Sequence, residues 1–467
     1  MVKLRKIINE LTDKDFEQVK SALIEHDSKK FLHLLISYRE GNITDDKIKK
    51  AVQCTEKSFY VLKSRLLEKV REILVENNKV SEANPLTRYI YQYPRESAIA
   101  MLHQLEKTCI ENDIPQELIN VYSALKKAHY YSDKYYHYSQ LYNKQVAYAL
   151  AFEKAEDLVF NFNKALANYF FSRSDSDKEL ILFCKREIKN IYSLNQSHRF
   201  ELLNNFVLIQ CQLFANIEQA DDESVEDLIK KCELIITNYP KDKLSKYCKL
   251  IVDFFWLEYY YKIKQFKKAE QYLWMVDGNS KTWLLYNNYC MSFKYLLTKP
   301  QLLCKLNKTE KLKEEQEEIY FDNYDFYTLS MMKFRKSIIS IYCGGLNESI
   351  HILRDLINGV TLNHFFHFEL EIKLTLSYLY IKQKKEGNAQ ELLSSLTRKI
   401  NGDKQRGFYQ NALLFIKILG LLMDKRKNTV TQTKLNNAIR QFDFFNTGER
   451  KILAFLQPEI DSINKNF

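Results

Sequence analysis

His364 and His367 stand three residues apart, which puts two imidazoles on one face of a helix, and Glu371 follows one turn later. Two ring nitrogens and a carboxylate in that register can chelate a metal ion. The setting argues otherwise: His364-Phe365-Phe366-His367-Phe368 is mostly aromatic, and histidines partly buried in a packed helix explain it without a metal. The other reactive groups are nine cysteines, Cys54, Cys109, Cys184, Cys211, Cys232, Cys248, Cys290, Cys304 and Cys343. None belongs to a C-x-x-C pair, and the closest two are Cys290 and Cys304. An odd number at irregular spacing predicts free thiols on helices in a reducing compartment, not a disulfide frame or a zinc site. The sequence has no G-x-x-x-x-G-K-[ST], no G-x-G-x-x-G, no G-x-S-x-G and no H-E-x-x-H. Each of those patterns places backbone amides, a nucleophile or metal ligands where a reaction needs them. The expectation is therefore a protein without catalytic residues, cofactor or metal.

Tyr131, Tyr135, Tyr138 and Tyr142 recur at spacings of 4, 3 and 4. Such a stripe beside lysines can stack nucleobases. A core or groove lining, with each phenol reaching water or a partner at the edge, fits the same spacing better. Phe321, Tyr324, Phe326, Tyr327 and Phe334 read the same way.

The first eighty residues carry the one specific nucleic-acid idea. Helices are expected over 13–25, capped by Thr12, and over 29–39, capped by Ser28 and stopped at Gly41-Asn42. Thr44 caps a short helix to Val52, with Asp45 and Asp46 in the first turn, where the helix dipole favours acids. Gln53-Cys54 turn the chain, and Thr55 opens a long helix to about Glu76. Phe59, Leu62, Leu66, Val70 and Ile73 share one arc of it at about 100° per residue. The pair looks like a helix-turn-helix, with Ala51 small enough to let the helices cross. Lys57, Tyr60, Ser64 and Arg71 then face away from the core, where they suit phosphate and base-edge contacts. Glu56, Glu68 and Glu72 interrupt that face.

What positions these residues is legible from composition. In 467 residues there are 10 glycines and 6 prolines, where average usage gives roughly 56 of the two together. A sheet protein needs a turn every 8–12 residues or so, so the long uninterrupted stretches predict helices. Hydrophobic residues at 46% exclude a disordered chain. Asn77, Asn78, Pro85 and Pro94 mark the main boundary, with weaker punctuation at Asn238-Tyr239-Pro240, Lys299-Pro300 and Asn401-Gly402-Asp403. This gives an N-terminal module over 1–80, a helical-hairpin region over 81–240 and a repeat region over 241–467.

The repeat lies in Tyr260-Tyr261-Lys262-Ile263-Lys264-Gln265-Phe266-Lys267-Lys268-Ala269, Ile341-Tyr342-Cys343-Gly344-Gly345-Leu346-Asn347-Glu348-Ser349 and Tyr380-Ile381-Lys382-Gln383-Lys384-Lys385-Glu386-Gly387-Asn388-Ala389. Each ends an apolar helix, turns through polar or glycine residues and opens another helix. Ala269, Ser349 and Ala389 are the packing anchors, small because two antiparallel helices approach closely there. Over about residues 250–400 this resembles the tetratricopeptide family, with longer helices than its usual 34-residue unit. The family's tryptophan, glycine and terminal proline positions are mostly absent here. The resemblance implies an all-α helical-repeat solenoid with a concave peptide-binding face, and no chemistry. The overall layout resembles bacterial helix-turn-helix regulators with a tetratricopeptide-like sensor domain.

Net charge is +11, with +4 over residues 1–80, +9 over 372–467 and −2 between. A basic end can meet phosphate, an anionic membrane surface or an acidic protein, although alternating Lys and Glu also simply solvates helix surfaces. The N-terminus turns polar by Asn9-Glu10, without the apolar core of a secretion signal. Ala412–Met423 is interrupted by Lys417 and too short to span a bilayer. The reading is thus a cytoplasmic, non-catalytic protein- or peptide-binding scaffold with no membrane insertion. The rival is a DNA-binding transcription regulator reading nucleic acid through residues 44–76, and an enzyme ranks third. Thiol counting in denaturant after rapid alkylation should find nearly all nine cysteines reactive; a stable bridge between any two would sink the cytoplasmic reading.

Overall fold

With so little glycine or proline to interrupt them, the apolar runs fold as helices, and the order of those helices gives the architecture. The computed structural model describes residues 3–11, 13–25, 28–40, 44–52, 54–78, 95–111, 114–217, 223–240, 242–279, 289–314, 326–359, 362, 365–402, 407–426, 432–456 and 459–460. Among the described residues every regular element is a helix and no strand occurs. The chain forms two compact units, residues 1–103 with 127–130, and residues 104–126 with 131–467. Both the stretch 131–240 and the stretch 241–467 fall in the second unit.

The first unit contains α1 (Lys3–Glu10), α2 (Asp13–Glu25), α3 (Lys29–Arg39), α4 (Asp45–Ala51), α5 (Glu56–Asn78) and the start of α6 (Arg95–Glu111). Its core joins Ile8, Val19, Leu23, Leu34, Leu35, Tyr38, Ile48, Phe59, Leu66 and Val70. Arg39 fastens the end of α1, donating to the carbonyls of Ile8, Asn9 and Leu11 and pairing with Asp13 at 2.7 Å. Asp45 accepts from Tyr38 at 2.9 Å and from the buried Lys63 at 2.7 Å, tying α3, α4 and α5 together. Ser28 and Thr44 occupy N-cap positions without making a side-chain cap bond. Thr55 approaches the Ser58 amide at 3.4 Å, a long contact. Ala51 is exposed, so it does not form the helix crossing its size suggests. Thr12, Gly41, Asn42, Gln53 and residues 79–94, the boundary with Pro85 and Pro94 included, lie outside the described residues.

After α7 (Pro115–Ala128) come α8 (Lys134–Ser172), α9 (Asp175–Leu194), α10 (His198–Gln210), α11 (Val225–Asn238), α12 (Lys243–Lys262) and α13 (Phe266–Asn279). Then follow α14 (Tyr289–Lys305), α15 (Thr309–Glu314), α16 (Phe326–Tyr342), α17 (Leu346–Gly359), α18 (Phe366–Lys382), α19 (Glu386–Gly402), α20 (Gln410–Arg426) and α21 (Gln432–Phe445). Consecutive helices pack on each other through most of this run. The break expected at Lys299-Pro300 does not occur: α14 runs through Pro300. Proline there removes one backbone bond, but Leu296, Leu297, Leu302 and Leu303 are all buried around it, and that packing keeps the helix continuous.

One turn recurs. At the ends of α12, α14, α16 and α18, Lys264, Asn307, Gly344 and Lys384 take left-handed backbone with φ of 63°, 56°, 84° and 61°. In each case the next amide donates to the carbonyl five residues back: Gln265 to Tyr260, Lys308 to Leu303, Gly345 to Ser340 and Lys385 to Tyr380. These are Schellman caps, which satisfy carbonyls that a helix end leaves unpaired. Five residues past each left-handed position sits a fully buried side chain, namely Ala269, Leu312, Ser349 and Ala389. The unit at Asn307 lacks the small residue of the others: its anchor is a leucine and its second helix is short. Smallness therefore belongs to the long, close helix pairs and not to the turn.

Helix α8 is about 58 Å long at 1.5 Å per residue. Its last turns are buried nearly all round, through Phe162, Ala165, Leu166, Ala167, Tyr169 and Phe171. It packs on α9 and α10, its neighbours in sequence, and on α14 and α18, far along the chain. Phe171 meets Phe293 of α14 at 5.4 Å and Phe368 of α18 at 4.9 Å, both edge to face.

After α21 the chain runs back across this core. Asn446 receives Asn411 at 3.0 Å and binds both the amide and the carbonyl of Ile452. Leu453 and Phe455 are buried, and the Phe455 ring meets Phe334 of α16 at 4.8 Å. Glu449 accepts from Lys178 of α9 at 2.7 Å, and Glu459 from Tyr378 of α18 at 2.9 Å.

The buried anchors give a paired test. Overpacking a tight core position typically costs about 1–3 kcal/mol. Ala389→Leu should therefore lower the thermal midpoint clearly, whereas Lys385→Leu, in the exposed turn, should barely move it. Equal effects would show that α18 and α19 do not approach at Ala389.

Candidate functional site

Arg173 ends α8 with φ 53°, a backbone region costly for most side chains. The turn brings its guanidinium over the Tyr169 ring, 4.9 Å from the centroid. The residue is only 8% exposed, and its Nε is buried without a hydrogen-bond partner. Beside it opens a cleft of about 760 Å³ in the second unit.

Four stretches of chain supply cations to this cleft: Arg173 from the end of α8, Lys262 and Lys264 from α12 and its turn, Lys294 and Lys305 from α14, and Lys451 from the segment after α21. Phe170, Phe214, Tyr261, Phe266 and Phe455 form apolar wall, with Asn216, Gln301, Asn446 and Thr447 as polar points. Phe214 belongs to a π-helical turn, Cys211–Ala215, that extends α10 and ends in left-handed Asn216. Such turns widen a helix locally and often mark functional surfaces.

The acids of the cleft are Glu258, Glu371 and Asp443. Lys294 stands 3.6 Å from Glu258, whose carboxyl burial pushes upward against that charge. Glu371 accepts from the Leu453 amide at 2.8 Å. Burial raises its carboxyl to about 7, more than the Leu453 bond and the Arg173 charge lower it. His367 lies 3.9 Å from Glu371 and is held neutral, driven well down by burial and then by Arg173. Lys451 is exposed at its place in the lining. Burial, and the ammonium groups of Lys294, Lys264, Lys262 and Lys305, lower its affinity for a proton.

Of the residues singled out from the sequence, His367 and Glu371 line the cleft and the others fall elsewhere. Lys57, Tyr60 and Ser64 are all exposed on α5, together with Val61 and Arg65, while Phe59, Leu66 and Val70 are buried. Arg71 belongs to the same helix, and its side chain lies outside the described residues. Ala269, Ser349 and Ala389 lie one on each of α13, α17 and α19. His364, Phe321 and Tyr324 lie outside the described residues, and so do the side chains of Phe326 and Tyr327. Among the described residues no group of three His, Cys, Asp or Glu is placed to hold a metal ion. Tyr131 precedes α8 and is 92% exposed, Tyr138 is buried, and Lys126 lies over the Tyr135 and Tyr142 rings at 5.9 and 5.0 Å. All nine cysteines are free thiols, and burial pushes Cys248 and Cys290 up to about 12.

The sequence reading named two residues of the cleft, His367 and Glu371, as possible metal ligands but did not assemble its cations. The one visible trace of those cations, Lys262-Ile263-Lys264, reads as an ordinary polar turn. Comparison with family models, curated proteins and solved structures finds no match to this chain. Among the described residues no helix is long and apolar enough to cross a membrane.

Glu371 makes stability depend on pH. Its folded value lies above the unfolded one, so its contribution is complete in acid and is lost as pH rises through about 7. Glu371→Gln keeps an acceptor for the Leu453 amide but cannot ionise. Relative to the parent it should gain roughly 1–3 kcal/mol on going from pH 5 to pH 8. Urea unfolding at the two pH values measures the difference, and a pH-independent difference would place Glu371 in water.

Proposed function

We propose that the protein is a non-catalytic scaffold that binds a protein or peptide partner on a face built from repeated helical hairpins. The observation that carries this reading is the Schellman cap at Lys264, Asn307, Gly344 and Lys384, each followed by a fully buried anchor five residues on. A unit reused in this way stacks hairpins side by side and yields an extended surface. That is the design of tetratricopeptide-like solenoids, which the sequence resembles. The chain departs from a simple nearest-neighbour stack where α8 packs on α14 and α18. Thiols that burial keeps protonated are poor nucleophiles, which supports binding over catalysis. Nine free thiols suit a reducing, cytoplasmic setting.

The second reading, a DNA-binding regulator, draws on Lys57, Tyr60 and Ser64 standing exposed together on α5. Tyr60 and Val61 make that face partly apolar, which suits protein contact equally well. Duplex-DNA binding by the full chain across a salt series separates the two. A regulator should show a log–log slope of about −0.9 per phosphate contact, and Lys57→Ala with Arg71→Ala should cut it by roughly two units. A scaffold should show only weak, sequence-blind attraction that the double variant leaves alone, and a partner captured with it should survive nuclease. Tight, sequence-selective binding at physiological salt would make the regulator the leading function.

A further inference from the structure

The segment after α21 lies on the first helices of three successive hairpins, α16, α18 and α20, much as a peptide lies on a receptor. Each hairpin, α16 with α17, α18 with α19 and α20 with α21, packs as a pair of its own. Side chains of the first members hold the segment by its backbone. Tyr342 donates to the Phe455 carbonyl, Glu371 accepts from the Leu453 amide at 2.8 Å, and Asn411 donates to the Arg450 carbonyl. A helix has used its own backbone groups internally, so side chains must meet those of an extended chain laid across it. Two further points fix the register. The Phe455 ring meets Phe334 at 4.8 Å, and Glu459 accepts from Tyr378 at 2.9 Å and from Lys382. Glu371, Tyr378 and Lys382 share one side of α18. The segment has little shape of its own: its regular structure is two three-residue turns, and Gly448 and Leu453 are left-handed, with φ of 60° and 53°. A leucine takes that backbone only where its surroundings impose it.

We propose that this segment is an internal ligand, seated on the face of α16, α18 and α20 where a partner docks, and that the partner is an extended peptide of the same signature, a buried aromatic followed four positions on by an acid. Release exposes Ile452, Leu453, Phe455 and Leu456, all buried. Only a peptide that returns comparable apolar surface, and a carboxylate for Lys382, can take the place. The partner rests on the scaffold reading, whereas the internal ligand does not.

Hydrogen exchange of the full chain reads release directly. The bonded amides of Ile452, Leu453 and Leu456 should exchange ahead of those inside α16, α18 and α20. Exchange in step with them would make the segment a fixed part of the core and overturn the proposal. A labelled synthetic peptide of residues 446–460 is then titrated into the parent and into the full chain carrying Phe455→Ala with Glu459→Gln. The weakened segment should yield its place, so the peptide should bind the variant about tenfold or more tighter than it binds the parent. A scrambled peptide should bind neither. Lys382→Gln, added to that variant, should weaken the peptide but not a peptide that itself carries Glu459→Gln. Loss of the helices in the double variant, or a folded double variant that binds the peptide no better than the parent, would overturn the assignment. Peptide binding by the variant with no protein captured from the cell would instead overturn the scaffold reading and its partner, and not the internal ligand.

Discussion

The second unit depends on one enclosure, the last turns of α8 surrounded by helices from distant parts of the chain. Phe171 is its centre. Rings from α14 and α18 meet it edge on at 5.4 and 4.9 Å, and such aromatic pairs add about 0.5–1.5 kcal/mol each beyond the area they bury. Two residues later the helix stops at Arg173, whose left-handed backbone turns the chain towards α9. A buried aromatic anchor and a buried cation therefore sit almost side by side. The first fixes the position of α14 and α18, and the second uses that position to face lysines that α14 supplies.

This arrangement explains how the fold tolerates its cleft. Like charges gathered around a cavity are unfavourable, and local partners offset part of that cost: Lys294 stands 3.6 Å from Glu258, and Lys262 donates to the Gln212 carbonyl at 2.9 Å. The rest of the opposing contribution comes from apolar contact on the other side of the same helices. The ends of α12 and α14 present lysine to the cleft while Phe254, Leu257, Phe293 and Leu296 are buried in the core. Each helix thus has one side fixed by packing and one side free to carry charge.

Local signals were readable and distant ones were not. Helices α2 and α3 span the residues their apolar spacing predicts, and the arc of Phe59, Leu66 and Val70 points inward as its period demands. Anchors Ala269, Ser349 and Ala389 are buried because close helix pairing leaves a recognisable small residue. The unit at Asn307 carries no such mark in the sequence, because Leu312 fills the anchor position. Pro300 misled for a related reason, since propensity is local and the burial that overrides it is not. The charge of the cleft was invisible because its cations come from Arg173, Lys262, Lys264, Lys294, Lys305 and Lys451. Five of the six belong to the middle of the chain, whose summed charge is −2. A sum along the sequence erases a concentration in space.

The segment that follows α21 has a consequence in time. Residues from Asp443 to Phe455 leave the ribosome long after Arg173, Lys262 and Lys294, and they complete the wall of the cleft. Until Leu453 arrives, Glu371 has no amide to receive. Helices α8 to α18 can thus assemble during synthesis around a cavity still open on one side. A chain broken off before Asn446 would lack this wall, so the pocket exists only once synthesis has passed it.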